Sequence, residues 1–164
     1  MTELVLRPAT ESDQGLLLEW RNEPETRRQS LQQDPVSPDQ HAQWFRDRLA
    51  CPADCRIYIA EMDGAPLGQA RVELTGAGRG EISVAVAAGF RGRGLGRSLI
   101  VRATERAAAE LGVHSVAAVV KSGNVASLRA FEAAGYGTPA TAERAGEPVL
   151  VLTWRAPTLS RARR

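Results

Sequence analysis

Between Glu81 and Leu99 an alternating run, Ile82-Ser83-Val84-Ala85-Val86, passes through a glycine-arginine turn, Arg91-Gly92-Arg93-Gly94-Leu95-Gly96, into an Ala- and Leu-rich segment with helical periodicity. A strand is thus handed to a helix through a nearly bare backbone. Three glycines leave amide N–H groups uncovered by Cβ atoms, and the N-terminus of the following helix adds partial positive charge. Such a turn is suited to phosphate, and Arg91, Arg93 and Arg97 place guanidinium forks around it.

Two common phosphate motifs fail on spacing. A Rossmann fingerprint needs a third glycine three residues after the second, where this chain has Leu99. A Walker A loop needs four residues between its outer glycines and then Lys-Ser/Thr; Gly92 and Gly96 enclose three, followed by Arg97-Ser98. A flexible Gly/Arg loop fits the same six residues, so the rest of the chain decides.

The chain has 164 residues, enough for one domain with a real core, and its 43% apolar and 24% charged residues are those of a globular protein. A formal charge of +2 gives no global field for nucleic acid or an anionic membrane, so anion binding has to be local. No apolar run approaches the roughly 20 residues of a membrane span. The start, Met1-Thr2-Glu3-Leu4, lacks an export signal, and a cytoplasmic protein is expected. Cys51 and Cys55 have no further Cys or His at ligand spacing and read as reduced thiols in a loop before a strand, with no metal expected.

In chain order, Leu4-Val5-Leu6 is a short strand, and Thr10 to Asn22 a helix with Leu16, Leu17 and Trp20 on its apolar face, ending before Pro24. Ser37, Pro38 and Gln40 form an N-cap, a first-turn proline and a capping-box partner for a helix carrying Ala42, Phe45 and Leu49. Strands around Ile57–Ala60 and Pro66–Leu74, joined at Asp63-Gly64, lead through Gly76-Ala77-Gly78 to the Glu81 strand as a three-strand meander. The helix from Gly96 ends at Gly112. Val116–Val120 is continuously apolar, as a doubly buried strand is, and lies parallel to the Glu81 strand in a βαβ unit. A helix from Asn124 to Ala134 and a final hairpin turning at Gly146 complete the fold.

Arg91-x-x-Gly94-x-Gly96 resembles the acetyl-CoA pyrophosphate loop, Arg/Gln-x-x-Gly-x-Gly/Ala, of the GNAT superfamily of N-acetyltransferases. About thirty residues on, Asn124-x-x-Ser127-x-x-x-Phe131-x-x-x-Gly135-Tyr136 is similar to that family's second segment. The resemblance covers nearly the whole chain and implies an α/β (α+β) acyl-CoA N-acyltransferase fold. That fold has a mixed central sheet, a splayed parallel strand pair and about four helices, here expected over residues 1–155, with 156–164 a solvated basic tail. It implies acetyl-CoA as co-substrate, with its pyrophosphate on Arg91, Gly92, Arg93, Gly94, Leu95, Gly96 and Arg97. Val84, Ala85 and Val86, left unpaired by the splay, would meet the pantetheine arm and the thioester, with Asn124, Ser127 and Phe131 beside the arm.

Direct attack on a thioester needs a neutral amine, hence a base, and the departing thiolate benefits from an acid. Glu81 is the leading base, with Glu73 and His41 behind it, while Val119 and Lys121 on the next strand supply no carboxylate. Many relatives have tyrosine where this chain has Phe131, which cannot donate a proton. Tyr136, Ser127 or water are then the candidate acids. Acceptor contacts are expected from the first two helices, through Trp20, Arg21, Asn22, His41 and Trp44, with Phe45 nearby. This Trp-Arg-Asn and His-x-x-Trp-Phe pairing resembles bacterial enzymes acetylating nucleotide-linked amino sugars of pseudaminic-acid-type pathways, and more loosely ribosomal-protein N-terminal acetyltransferases. On the first likeness Arg21, Arg27 or Arg28 would meet a nucleotide diphosphate. The expected partner is a small-molecule amine, with the protein a monomer or homodimer. Peptide α-amine acetylation and a non-catalytic CoA-binding module are the alternatives.

Overall fold

The computed structural model describes residues 2–158. The basic tail expected over 156–164 lies largely outside the described residues. Twelve regular elements follow one another: β1 (Val5–Pro8), α1 (Gln14–Asn22), α2 (Pro24–Gln29), α3 (Pro38–Leu49), β2 (Cys55–Met62), β3 (Ala65–Gly76), β4 (Arg79–Val86), α4 (Leu95–Leu111), β5 (Ser115–Lys121), α5 (Val125–Ala133), β6 (Ala140–Arg144) and β7 (Glu147–Arg155). The strands form one sheet in the order β1-β2-β3-β4-β5-β7-β6, and among the described residues only β4 and β5 run parallel. That is the mixed sheet with a parallel pair expected from the βαβ reading.

Turn chemistry explains the meander. Asp63 and Gly64 both have positive φ, 52° and 76°, the mirror-image turn that matches strand twist and that Asp-Gly favours. Ala145 and Gly146 repeat it between β6 and β7. Alternation along β2 then divides the core in two. Ile57 and Ile59 point to one face, where Leu17 and Phe45 of α1 and α3 cover them. Tyr58 and Ala60 point to the other, where α4 packs Leu99, Ile100, Ala103 and Ala107 over Ala70, Val72, Ile82 and Val116. Each buried leucine, isoleucine or valine among them stabilises the fold by roughly 1.5–3 kcal/mol relative to exposure.

Two local readings need correction. Three α-helices precede β2 where two are expected, because Pro24 starts α2 as well as ending α1. Proline fits the first helical turn, where its missing N–H has no partner anyway, and the Glu23 side chain caps α2 by accepting from the Thr26 amide. Cys55 is the first residue of β2 rather than part of the loop, and burial pushes its thiol up to about 12. Cys51 and Cys55 are both free.

Gly68 on β3 fixes how closely β4 can approach, since an added Cβ would lie 2.6 Å from the Ala85 carbonyl oxygen. Gly68→Ala is expected to lower stability by about 1–3 kcal/mol, read as a lower urea midpoint at unchanged slope.

Candidate active site

The site begins where β4 and β5 separate. Their parallel pairing runs from Arg79↔Ser115 to Ile82↔Ala118 and stops, although β4 stays paired with β3 to Val86 and β5 with β7 to Lys121. Each strand keeps its outer partner and loses the inner one, which opens a V toward the C-terminal ends of both. The Ala87 amide donates to the Leu67 carbonyl at 2.7 Å. By alternation the backbone of Ala85 also faces β3, while that of Val84 and Val86 faces the gap. Of the three residues expected to be unpaired, Ala85 is therefore not; Val84 and the amide of Val86 carry the open main-chain groups, the Val86 carbonyl accepting from Arg91.

Below the V, Gly92 and Gly94 have φ of 76° and 74°, which L side chains rarely adopt. Gly94 is the N-cap of α4, no side chain caps that end, and the first turn holds no acidic residue. The leading amides of a 17-residue helix thus face the cleft beside Gly92, Leu95 and Gly96, without a competing anion on their own helix.

Arg97 lines the cleft, with its Nε donating to the Ala133 carbonyl at 3.0 Å. Asn124 caps α5 through an Oδ1 that accepts from the Ser127 amide at 3.2 Å, and both residues line the cleft with Phe131. The cleft encloses about 1590 Å³, more than the roughly 300–1,000 Å³ of a single small-ligand site. An uncapped helix N-terminus, open strand amides and this volume fit a long, anionic, amide-bearing cofactor together with a second molecule.

The opposite wall comes from α1, α2 and α3, which contribute Trp20, Arg21, His41 and Trp44. Helix α2 is tied to both arms of the V. At its start Arg91 donates from Nη2 to Glu23 Oε2 at 2.8 Å and to the Thr26 hydroxyl at 3.2 Å, and from Nε to the Val86 carbonyl at 3.0 Å. The Arg91 hydrogen bond pulls the Glu23 carboxyl down to about 2. At its end Lys121 Nζ donates to the Arg28 carbonyl at 3.1 Å. Glu81 pairs with Ala117, one step before the last pair at the split, and Arg144 of β6 donates to its Oε1 at 2.8 Å. Burial lowers the pKa of His41, which keeps the ring neutral at neutral pH.

Three expected site residues are not among those lining the cleft. Asn22 spends its side-chain amide on Val36, with Nδ2 donating to the carbonyl and Oδ1 accepting from the amide, both at 2.8 Å. It holds the loop after α2 instead of a ligand. Arg93 lies over the Phe90 ring and donates to the Gly89 carbonyl. Tyr136 is 4% exposed, its hydroxyl 2.7 Å from that of Thr104 and its ring edge-on to Phe131 at 5.0 Å. Burial pushes its pKa up, so a proton-donor role does not fit its place in the core. Conversely, Arg71, Ser83 and Arg144 line the cleft and were not anticipated. Arg71 carries a signal, being the central polar residue of the alternating Gln69-Ala70-Arg71-Val72-Glu73; Arg144 sits on a wholly exposed hairpin strand and carries none.

A parallel strand pair parting above a glycine turn at a bare helix N-terminus defines the acyl-CoA N-acyltransferase class. Residues 3–137 match the family model of the GNAT acetyltransferase domain, and the chain belongs to that family, whose enzymes draw their acyl group from acetyl-CoA. Aminoglycoside acetyltransferase AAC(6')-Ib in complex with ribostamycin and coenzyme A superposes with a TM-score of 0.83 at 21% identity, over 98% of this chain and 99% of that one. A spermidine N-acetyltransferase SpeG chimera from Vibrio cholerae and hSSAT gives 0.79 at 17%, over 93% and 95%. Ribosomal-protein-alanine N-acetyltransferase from Brucella melitensis gives 0.75 at 25%, over 92% and 99%. No curated protein matches the sequence.

Tyr136→Phe is expected to keep full turnover and lose about 1 kcal/mol of stability, because the buried Thr104 hydroxyl loses its partner. Acetylation assays and thermal melts on the same preparation check both.

Proposed function

We propose that this protein transfers an acetyl group from acetyl-CoA to the amine of a small molecule, with a nucleotide-linked amino sugar favoured. The observation that carries the reading is α2, held by Arg91 and Lys121 across the two arms of the V. It supports a walled pocket for a compact acceptor over an open groove for an extended chain. When bound, acetyl-CoA supplies an activated acyl thioester. The amides from Gly92 to Gly96 bind its pyrophosphate, Asn124 meets the pantetheine arm, and the open groups of Val84 and Val86 align arm and carbonyl.

Glu81 takes the proton that the attacking amine has to lose, directly or through water. Arg144 holds Oε1, and Oε2 has no hydrogen bond among the described residues, so it is the oxygen free to accept. With Phe131 lacking a hydroxyl and Tyr136 buried, Ser127 or water protonates the departing thiolate. A second reading, acetylation of a peptide α-amine, is favoured by the likeness to the Brucella melitensis ribosomal-protein-alanine enzyme.

Consumption of acetyl-CoA over a panel of UDP-amino sugars, free amines and peptides tests these readings. Preference for the sugars supports the first and preference for peptides the second; calorimetric acetyl-CoA binding with no turnover would leave a non-catalytic module. Gly94→Val, which puts a β-branched residue at a φ of 74°, is expected to abolish CoA binding in calorimetry with an unchanged circular dichroism spectrum. Glu81→Gln is expected to slow turnover by roughly 10²–10⁴-fold with CoA affinity unchanged, as measured by steady-state kinetics and calorimetry.

A further inference from the structure

We infer that the acceptor carries an anionic group, a carboxylate or a phosphate, and that Arg21 and Arg71 hold it on the wall opposite the split in the sheet. The inference rests on reading the cleft as an acetyltransferase acceptor pocket, and it concerns which amines that pocket takes.

Arg21 is a guanidinium without a counter-ion. Its Nη2 donates to the Gln32 carbonyl at 2.8 Å, while Nη1 is buried with no partner and no carboxylate forms an ion pair with it among the described residues. Burial and the positive charges of Arg27 and Arg71 lower its pKa. Arg71 stacks on the Trp44 indole, 4.9 Å from the ring centroid, and its nearest carboxylate, Glu73 at 3.7 Å, is already hydrogen-bonded by Arg48. Arg27 and Arg71 thus lie close enough to Arg21 to be felt there, and Arg71 has to share Glu73 with Arg48. His41 adds nothing to offset them: it is 4% exposed, and its Nδ1 is buried and unpartnered. Crowded, half-buried cations facing a cavity are costly in the free protein, and an anion entering the cavity removes that cost through charge-assisted, bidentate hydrogen bonds.

Register sets where Arg71 leaves the sheet. Arg71 pairs with Ser83, one residue before Val84, whose main chain faces the gap where the acyl group is to be aligned. One strand step is about 3.3 Å, so the amine and the anion belong to a single compact molecule. Polycations such as aminoglycosides and spermidine would meet repulsion on this wall.

The test follows the indole N–H signals of Trp20 and Trp44 while CoA-loaded protein is titrated with pyrophosphate, with Trp154, remote from the cleft, as the internal reference. A saturable shift at Trp44 but not at Trp154 is expected. Its affinity should fall tenfold or more in Arg21→Gln and Arg71→Gln and recover in part in Arg71→Lys, with melting curves to show that the variants fold. No saturable shift, or affinities unchanged in both glutamine variants, overturns the inference. Matched acceptors then separate the sources: glucosamine 6-phosphate against glucosamine for phosphate, serine against serinamide for carboxylate. The charged member of at least one pair is expected to have a kcat/KM tenfold or more above its neutral partner, and a preference for the neutral members or for spermidine counts against the site. If pyrophosphate binds as expected while no amine is acetylated, the anion site stands and the transfer reading falls.

Discussion

Everything at the cleft depends on a hydrogen-bonded ladder that stops early. Between β4 and β5 the pairing ends at Ile82↔Ala118, while both strands run on for several residues against their outer neighbours. Buried main-chain N–H and C=O groups require partners, so ending the ladder inside the sheet creates a standing demand for another amide-bearing chain. Val84 and Val86 present that demand, and the glycine turn at the head of α4 presents a second, for an anion. The covalent order of the chain sets the two next to one another: β4 runs into the turn, and the turn into α4. A molecule carrying both amides and phosphate satisfies both at once.

The two halves of the cleft work by different physics. The cofactor half is main chain, with open strand groups, helix amides and glycines whose positive φ excludes side chains. The wall opposite, proposed for the acceptor, consists of side chains and charge, among them Trp20, Trp44, Arg21 and Arg71. Arg91 belongs to both: it arises from the phosphate turn, yet its guanidinium engages Glu23 and Thr26 at the start of α2. The Arg91–Glu23 pair thus steadies the start of α2 from the side of the turn.

What could be read from the sequence is what local chemistry decides. The Asp63-Gly64 turn, the capping box at Ser37 and the strand–turn–helix passage at Glu81–Leu99 depend on residues adjacent in the chain, and each stands where local rules put it. The parallel pairing of β4 with β5 follows almost as directly, since a strand, a helix and a strand joined by short turns have few ways to pack. Helix α2 was missed because Pro-Glu-Thr-Arg-Arg-Gln is short and polar, and its proline reads equally as an end and a beginning. Tyr136 was misplaced because only tertiary packing pairs its hydroxyl with Thr104, 32 residues earlier. Asn22 was taken for a ligand contact because its partner, Val36, lies across a loop whose course no local signal dictates.

A cofactor site made of main-chain groups has a further consequence. Backbone amides are the same whatever the side chains, so beyond a few glycines and an asparagine the cofactor places little constraint on which residues occupy β4, the turn or α4. Such a half can survive extensive sequence drift without losing its shape. A wall built from side chains, as proposed for the acceptor, has no such insulation: replacing one arginine on β3 or one residue of α1 would change the charge that the pocket presents. Divergence in this lineage is therefore expected to be read out as new acceptors long before it is read out as loss of the cofactor.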